Sequence, residues 1–310
     1  MTLPMAPGPN ATCEGVIAAP RLVPASYLTS QIHGTSPAID ALRAQIRRFA
    51  AFDTLGSPLV PTVLLQGETG TGKELVARVL HESGPRIEGP FLEVTCAAIP
   101  ETLLEAELFG FEAGAFTDAK RPKPGLFEAA SGGTLFLDEV DALPLALQGK
   151  MLKAIEEKRV RRVGALADKP VDIKLTVATH TDLNTRVADG RFRADLSHCL
   201  AVVFVEIPPL RERGDDVLVL ARRFLRHYAE GHRLTPKRLS QSATAWLRRY
   251  PWPGIVRELS HLMERVILLH QGASVDAMAG ECGAGHAPVG MEPQDLAISH
   301  GPLRHRAPKP

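Results

Sequence analysis

Cysteine is scarce in this 310-residue chain: Cys13, Cys96, Cys199 and Cys282 stand far apart, with no CxxC pair. That spacing argues against a disulfide framework or a cysteine-held zinc, and it fits a reducing compartment. Long apolar runs are missing as well, so no stretch approaches the length of a membrane span. The opening MTLPMAPGPN lacks a basic stretch followed by an apolar one. It does not read as a secretion signal, and the expectation is a cytoplasmic protein with no membrane partner. Charge of one sign is not in excess either. Lys plus Arg number 36 against 35 Asp plus Glu, which leaves no whole-protein attraction to nucleic acid or anionic lipid, only local patches. There is no internal repeat.

What is present is a foldable chain, 45% hydrophobic and long enough for one large domain and a small one. Residues 1–28 are rich in Pro, Ala and Gly and read as a loose leader. From Ser36, PAIDALRAQIRRFA puts Ile39, Leu42, Ile46 and Phe49 on one helical face, with Ser36 and Pro37 at its start. Apolar strand patterns and helical patterns then alternate: VPTVLLQG, ELVARVLHES, PFLEVTC, TLLEAELFG, GGTLFLDEV, LQGKMLKAIEEK, VDIKLTVATH and AVVFVEIPPL. Alternation of this kind predicts an α/β domain over 29–209, with a parallel sheet and crossover helices. After Pro208-Pro209 only helical patterns follow, so 210–271 reads as a small helical domain without strands. From Gly272 to Pro310, Gly, Ala, Pro and His dominate, and that stretch reads as a disordered tail. The basic clusters ARRFLRHY and WLRRY lie on the late helices and read as solvated faces.

The most specific signal is GETGTGKE, made of Gly67, Glu68, Thr69, Gly70, Thr71, Gly72, Lys73 and Glu74. It matches G-x-x-x-x-G-K directly after a predicted strand and at the opening of a predicted helix, where a phosphate-binding loop has to sit. Its glycines let backbone N–H groups curl around phosphate oxygens, and Lys73 would reach the β- and γ-phosphates of ATP. Glu74 stands where the general motif has Ser or Thr, so Mg2+ would take an oxygen from Thr71 or water. The second signal is Asp138-Glu139 at the end of the apolar run GGTLFLDEV. Ligands of open α/β sheets lie at strand C-termini, which would put both carboxylates at the phosphates. Asp138 would hold the Mg2+ shell, largely through water, and Glu139 would orient or deprotonate the attacking water.

ELFGFEAGAFTDA, PPLRERGDD and YPWPGIVREL complete a set that resembles the central AAA+ ATPase domain of bacterial enhancer-binding proteins, the activators of sigma-54 RNA polymerase. The resemblance covers about residues 29–270. It implies a P-loop NTPase domain followed by a helical lid, assembly with itself or a paralogue into a ring of six, and remodelling of the sigma-54 holoenzyme by ATP hydrolysis. It also explains Gly114, Ala115, Phe116, Thr117, Asp118 and Ala119: the family's loop here projects from the ring and touches sigma-54. Asp118 replaces a glycine; it tolerates left-handed backbone but adds negative charge at the contact surface.

Other carried-over positions are His180 at the sensor I strand and Arg257 as sensor II arginine, with Ile255 where Asn is common. Thr95 stands where an Asn holds the catalytic glutamate; a Thr hydroxyl is able to hydrogen-bond Glu139, with a geometry that differs from that of Asn. Arg193 matches the first of two arginines that face a neighbouring subunit's ATP, whereas Cys199 occupies the second, with Arg191 as a nearby substitute. A missing arginine finger leaves ATP binding better supported than ATP turnover. The alternative is a hydrolysis-impaired, ATP-dependent adaptor or ring subunit working with a complete partner. No helix-turn-helix is evident, so no DNA-binding domain is expected within the sequence.

Overall fold

The computed structural model describes residues 31–57, 59–117, 119–270 and 272–276, so the expected leader, Asp118 and most of the expected tail lie outside the described residues. The chain divides into two compact units, one built on Pro37–Pro209, the other on Leu210 onward together with Gly34–Ser36. Among the described residues no helix is long and apolar enough to cross a membrane.

The first unit opens with α1 (Pro37–Ala50), which buries Ile39, Leu42 and Ile46 as its periodicity predicts. Five strands follow: β1 (Val63–Gln66), β2 (Phe91–Thr95), β3 (Thr134–Asp138), β4 (Lys174–Thr179) and β5 (Val203–Glu206). They form one sheet in the order β5-β1-β4-β3-β2, every neighbouring pair parallel. Between and after them come α2 (Lys73–Glu82), α3 (Glu101–Phe109), the single turn α4 (Leu126–Ala129), α5 (Leu145–Glu157), α6 (Leu183–Ala188) and α7 (Ala194–Leu200). Successive strand residues face opposite sides, so the central strands β1, β3 and β4 feed two cores. Val63 and Leu65 of β1 and Phe136 of β3 pack with α1 and α2, through Ile39, Ile46, Val76 and Leu80. Leu64, Leu135 and Leu137 point the other way, into a cluster with Leu108, Met151 and Leu196 from α3, α5 and α7. Burial on both faces is why these strands read as unbroken apolar runs.

Register sets the functional edge. Gln66 of β1 pairs with Thr179 of β4 and Glu206 of β5, and Thr95 of β2 pairs with Asp138 of β3. Leu137 of β3 pairs with Val177 of β4, so the ends of β2 and β3 lie one residue short of the row formed by β1, β4 and β5, and all five strands finish at the same edge. The chain leaves β1 there to cross over to the far strand β2. Strand C-termini at such a switch of direction are where open α/β sheets take their ligands.

Two short hairpins interrupt the alternation. In the first, Gly110–Phe111 pairs antiparallel with Lys123–Pro124; in the second, Arg159–Val160 pairs with Lys169–Pro170. Neither was expected, because a two-residue ladder has no period to detect. Gly110 has φ +79, and a Cβ on it would lie 2.5 Å from Gly125 N and Lys123 O, so only glycine closes this base.

The second unit contains α8 (Asp216–Gly231), α9 (Gln241–Arg249) and α10 (Ile255–Leu269) around a core of Leu218, Leu225, Leu247, Trp252, Leu259 and Met263. It also contains a strand pair, against the expectation of helices alone: Arg238–Leu239 runs parallel to Ser274–Val275. Ordered structure therefore extends past Gly272, held by buried Val275. Thr35 and Ser36 belong here through Asp216, whose buried carboxylate accepts from Ser36 N at 3.0 Å and Ser36 Oγ at 2.6 Å. Ile255, where the resemblance has Asn, opens α10 at φ +55. Left-handed backbone costs an ordinary residue about 1–2 kcal/mol. Full burial of the isoleucine side chain offsets a cost of that order.

Candidate nucleotide site and partner loop

The loop after β1 begins by joining two strand ends, since Gly67 N donates to Thr179 O at 3.2 Å. Gly72 then takes φ +99, and a Cβ there would meet nothing within 4 Å, so the turn needs glycine and leaves open space before it. Lys73 opens α2 and is only 8% exposed. Its Nζ donates to Gly67 O at 2.9 Å and Glu68 O at 3.3 Å, the loop's own carbonyls. A buried cation curled over a glycine cradle at a helix start has the donor set and the space that a polyphosphate requires. Thr71 is buried, and its hydroxyl donates to Glu68 O at 2.8 Å, which braces the loop and leaves the lone pairs of the oxygen for a cation.

Asp138 closes β3 half-buried, and its Oδ1 accepts from Glu139 N at 2.9 Å. Glu139 has φ +54 and ψ +47, the left-handed region. A non-glycine residue is held there only when its surroundings over-determine it, and such strain gathers at working sites. Glu139 makes no hydrogen bond to Thr95 here; Thr95 ends β2 beside Asp138 in register, while the chain turns away at Glu139. Glu93, on β2, is raised above the usual carboxylate range, first by burial and then by Glu74, with Arg78 opposing and Asp138 adding to it. Arg78 is shared between Glu74 at 3.4 Å and Glu93 at 3.7 Å. Carboxylates crowded in this way favour a further cation. Among the described residues no three His, Cys, Asp or Glu form a metal cage.

Asp141 was missed by the sequence reading, which stopped at the Asp138-Glu139 pair. It is buried and accepts from Thr179 Oγ1 at 2.8 Å, Thr181 Oγ1 at 3.2 Å and Arg186 Nη2 at 3.2 Å. It thereby ties the acid-bearing turn to the end of β4, next to His180, which is exposed. Arg193 stands at the N-terminal boundary of α7 with its guanidinium exposed and bound to Asp195 at 3.0 and 2.6 Å. Cys199 differs in kind: it is half-buried against the main core, where burial and then Glu156 push its thiol up while Lys158 opposes. Arg191 is exposed. Arg257 lies on the exposed side of α10 in the second unit.

The loop carrying Phe116 rises from the first hairpin. Gly114 N donates to Ala119 O at 2.8 Å and Ala119 N to Phe116 O at 2.9 Å, a turn that buries Ala119 and leaves Phe116 45% exposed. The Phe116 ring centroid lies 4.8 Å from that of Phe111 on the flank of the loop. The second hairpin grips this base: Glu112 N donates to Val163 O at 3.0 Å and Val163 N to Gly110 O at 2.9 Å. Arg162 adds a double contact to Glu128 at 2.6 and 2.7 Å and another to Glu112 at 3.2 Å. Those bonds hold Glu128 below the ordinary carboxylate range. Thr117 is exposed.

Comparison with known proteins follows the same division. The Sigma-54 interaction domain matches residues 32–206, and the AAA+ ATPase lid domain matches 211–279. The response regulator protein PilR of Pseudomonas aeruginosa is 48% identical over 240 residues, 77% of this chain and 52% of PilR. The transcriptional regulatory protein ZraR of Escherichia coli is 45% identical over 239 residues, 77% of this chain and 53% of ZraR. The nitric oxide reductase transcription regulator NorR1 of Cupriavidus necator is 47% identical over 238 residues, 77% of this chain and 45% of NorR1. The chain spans about half the length of these curated relatives. Among solved structures, NtrX from Brucella abortus with ADP superposes with a TM-score of 0.74 at 33% identity, over 88% of this chain and 60% of NtrX. NtrX with ATP gives 0.71 at 35% identity, over 80% and 56%. The fold is that of an AAA+ domain with its helical lid.

Proposed function

The chain belongs to the sigma-54 interaction domain family, and from that premise we propose that it couples ATP hydrolysis to remodelling of sigma-54 RNA polymerase. The observation that carries this reading is the exposed Phe116, raised on a glycine-closed hairpin in the same unit as the phosphate loop and the acids of β3. Its exposure alone is ordinary, since Phe52 is 55% exposed. Its place on a braced hairpin loop makes the ring available to a partner, and aromatic anchors dominate protein interfaces. The relatives' printed names are those of transcription regulators, which favours an activator over a nucleotide-gated adaptor.

The roles divide by position. Lys73 and the N–H groups of the loop bind the β- and γ-phosphates. Asp138 orients the Mg2+ shell, and the ion, when bound, neutralises charge building between the phosphates. Glu139 takes the proton of the attacking water, His180 senses the γ-phosphate, and Arg257 stands at the sensor II position of the lid sequence. Arg193, exposed on its own subunit, serves the ATP of a neighbour, which makes the working form a ring of this chain or of this chain with a paralogue.

Phe116→Ala is the test. Wild-type protein should form a complex with purified sigma-54 in the presence of an ATP transition-state analogue, seen on a native gel. The variant should bind at least about 10-fold more weakly, the scale of one aromatic anchor, while retaining nucleotide binding. Absence of any complex with wild type, in every nucleotide state, would end the sigma-54 reading.

Cys199 gives a second test. Cys199→Arg should raise steady-state turnover by about 10-fold or more if the ring is otherwise intact, since a finger arginine is worth about 10³–10⁵ in rate. The full value is not expected. Cys199 packs against the core, and an arginine there must run its stem along apolar surface to bring its head out. A variant with unchanged turnover at saturating protein would show that this position no longer serves a finger.

A further inference from the structure

Gln148 is wholly buried in the first turn of α5, and all of its amide is used. Nε2 donates to Leu143 O at 2.8 Å and to Arg191 O at 3.1 Å, and Oε1 accepts from Arg193 N at 2.8 Å. Two carbonyls and one N–H permit a single orientation of the amide, so the assignment follows from its partners. Leu143 directly follows the turn Val140–Ala142 that continues from Glu139. Gln148 therefore clasps the segment that carries Arg193 to the segment that carries the catalytic acid.

A second fastening runs in parallel. Arg186, held by Asp141 at 3.2 Å, accepts at its carbonyl from Arg191 N at 2.9 Å and Phe192 N at 3.1 Å. Phe192 is itself buried. All three N–H groups of Arg191–Phe192–Arg193 are thus bonded before α7 begins, while the Arg193 guanidinium stands in solvent. A rigid root under an exposed cation is the construction expected for a group that has to meet a charge outside its own subunit.

We propose that Gln148 is the positioning residue for Arg193, setting where this guanidinium reaches in the neighbouring subunit's nucleotide site. The proposal rests on the trans-acting role given to Arg193 above. Gln148 touches no nucleotide. It acts by fixing a backbone, and a displacement of about 1 Å at a catalytic group is enough to cost about 100-fold in rate. Gln148→Met keeps the shape and removes all three bonds. Gln148→Glu keeps the shape and sets a carboxylate oxygen against two carbonyls.

Both variants, as full chains, should bind a fluorescent ATP analogue like wild type, which also shows that they fold. Turnover at saturating protein should fall by between about 10- and 100-fold with KM for ATP nearly unchanged. The decisive measurement is mixing with Glu139→Gln, whose own site is dead and whose Arg193 is intact. Turnover of the mixture should exceed the sum of the two proteins alone, because a Gln148 variant supplies a sound site and its neighbour supplies the arginine. Arg193→Ala mixed with Glu139→Gln is the reference and should recover in the same way. If that reference recovers and the Gln148 mixtures do not, Gln148 acts on its own subunit's site and the proposal is wrong. If Arg193→Ala loses no turnover to begin with, the trans-acting reading fails and takes this proposal with it.

Discussion

Lys73→Ala is expected to weaken ATP binding by about 100-fold or more, read as the loss of signal from a fluorescent ATP analogue titrated with protein. Lys73 is 8% exposed, and its ammonium is spent on the carbonyls of Gly67 and Glu68, 2.9 and 3.3 Å away. A buried ammonium is tolerated only while its donors are matched. Phosphate oxygens are better partners than carbonyls, since both ends are then charged. Each such bond is worth about 1.5–3 kcal/mol, so losing two gives about 3 kcal/mol or more, which is about two decades in affinity. The substitution also leaves Gly67 O and Glu68 O without the ammonium, so the melting temperature is the control. A variant that melts near wild type and binds ATP with unchanged affinity would remove the nucleotide assignment altogether.

The parts of this molecule that were legible in the sequence are those with a period or a fixed spacing. β1, β3 and β4 are short apolar runs bounded by glycine or acid, and each is a central strand buried on both faces. GETGTGK needs its glycines in fixed places, so seven letters were enough to locate Lys73 before any helix was seen. What stayed hidden depends on contacts across long separations. Gln148 and Arg193 are 45 residues apart, and Arg162 and Glu128 are 34 apart. A buried glutamine on an apolar helix looks like any other helix glutamine until its partners are known. Asp141 could have been suspected as a third acid in the stretch Asp138–Asp141. The hairpins at Gly110 and Arg159 had no signal beyond Gly110 itself, because two residues do not make a period. Thr95 stands where the resemblance has an asparagine that holds Glu139, and the letters left open whether its hydroxyl does the same. The left-handed turn at Glu139 was not foreseeable from the letters, and no bond joins the two.

Glu139→Gln should hold ATP about as tightly as wild type while its turnover falls by about 10²–10⁴-fold, the range for removing a general base. The exchange is nearly isosteric, and glutamine meets the left-handed backbone at φ +54 no worse than glutamate does, so the Val140–Ala142 turn should survive. Binding rests on Lys73 and the loop, not on Glu139, and so the two properties should part. The same assay tests assembly. Arg193 is occupied by Asp195 on its own α7, and its root is fixed by Gln148, so within one subunit it has no bond to any phosphate-binding residue. If its role is to meet a neighbour's γ-phosphate, specific activity of the wild type must rise with protein concentration and level off once rings are complete. Glu139→Gln should stay flat at every concentration, since assembly supplies an arginine but no base. A wild-type rate that is constant down to the monomer would show that turnover needs no second subunit. Unimpaired turnover in Glu139→Gln would instead leave Arg193 in play and move the base to another carboxylate, with Asp138, one residue away and already at the end of β3, the first to test.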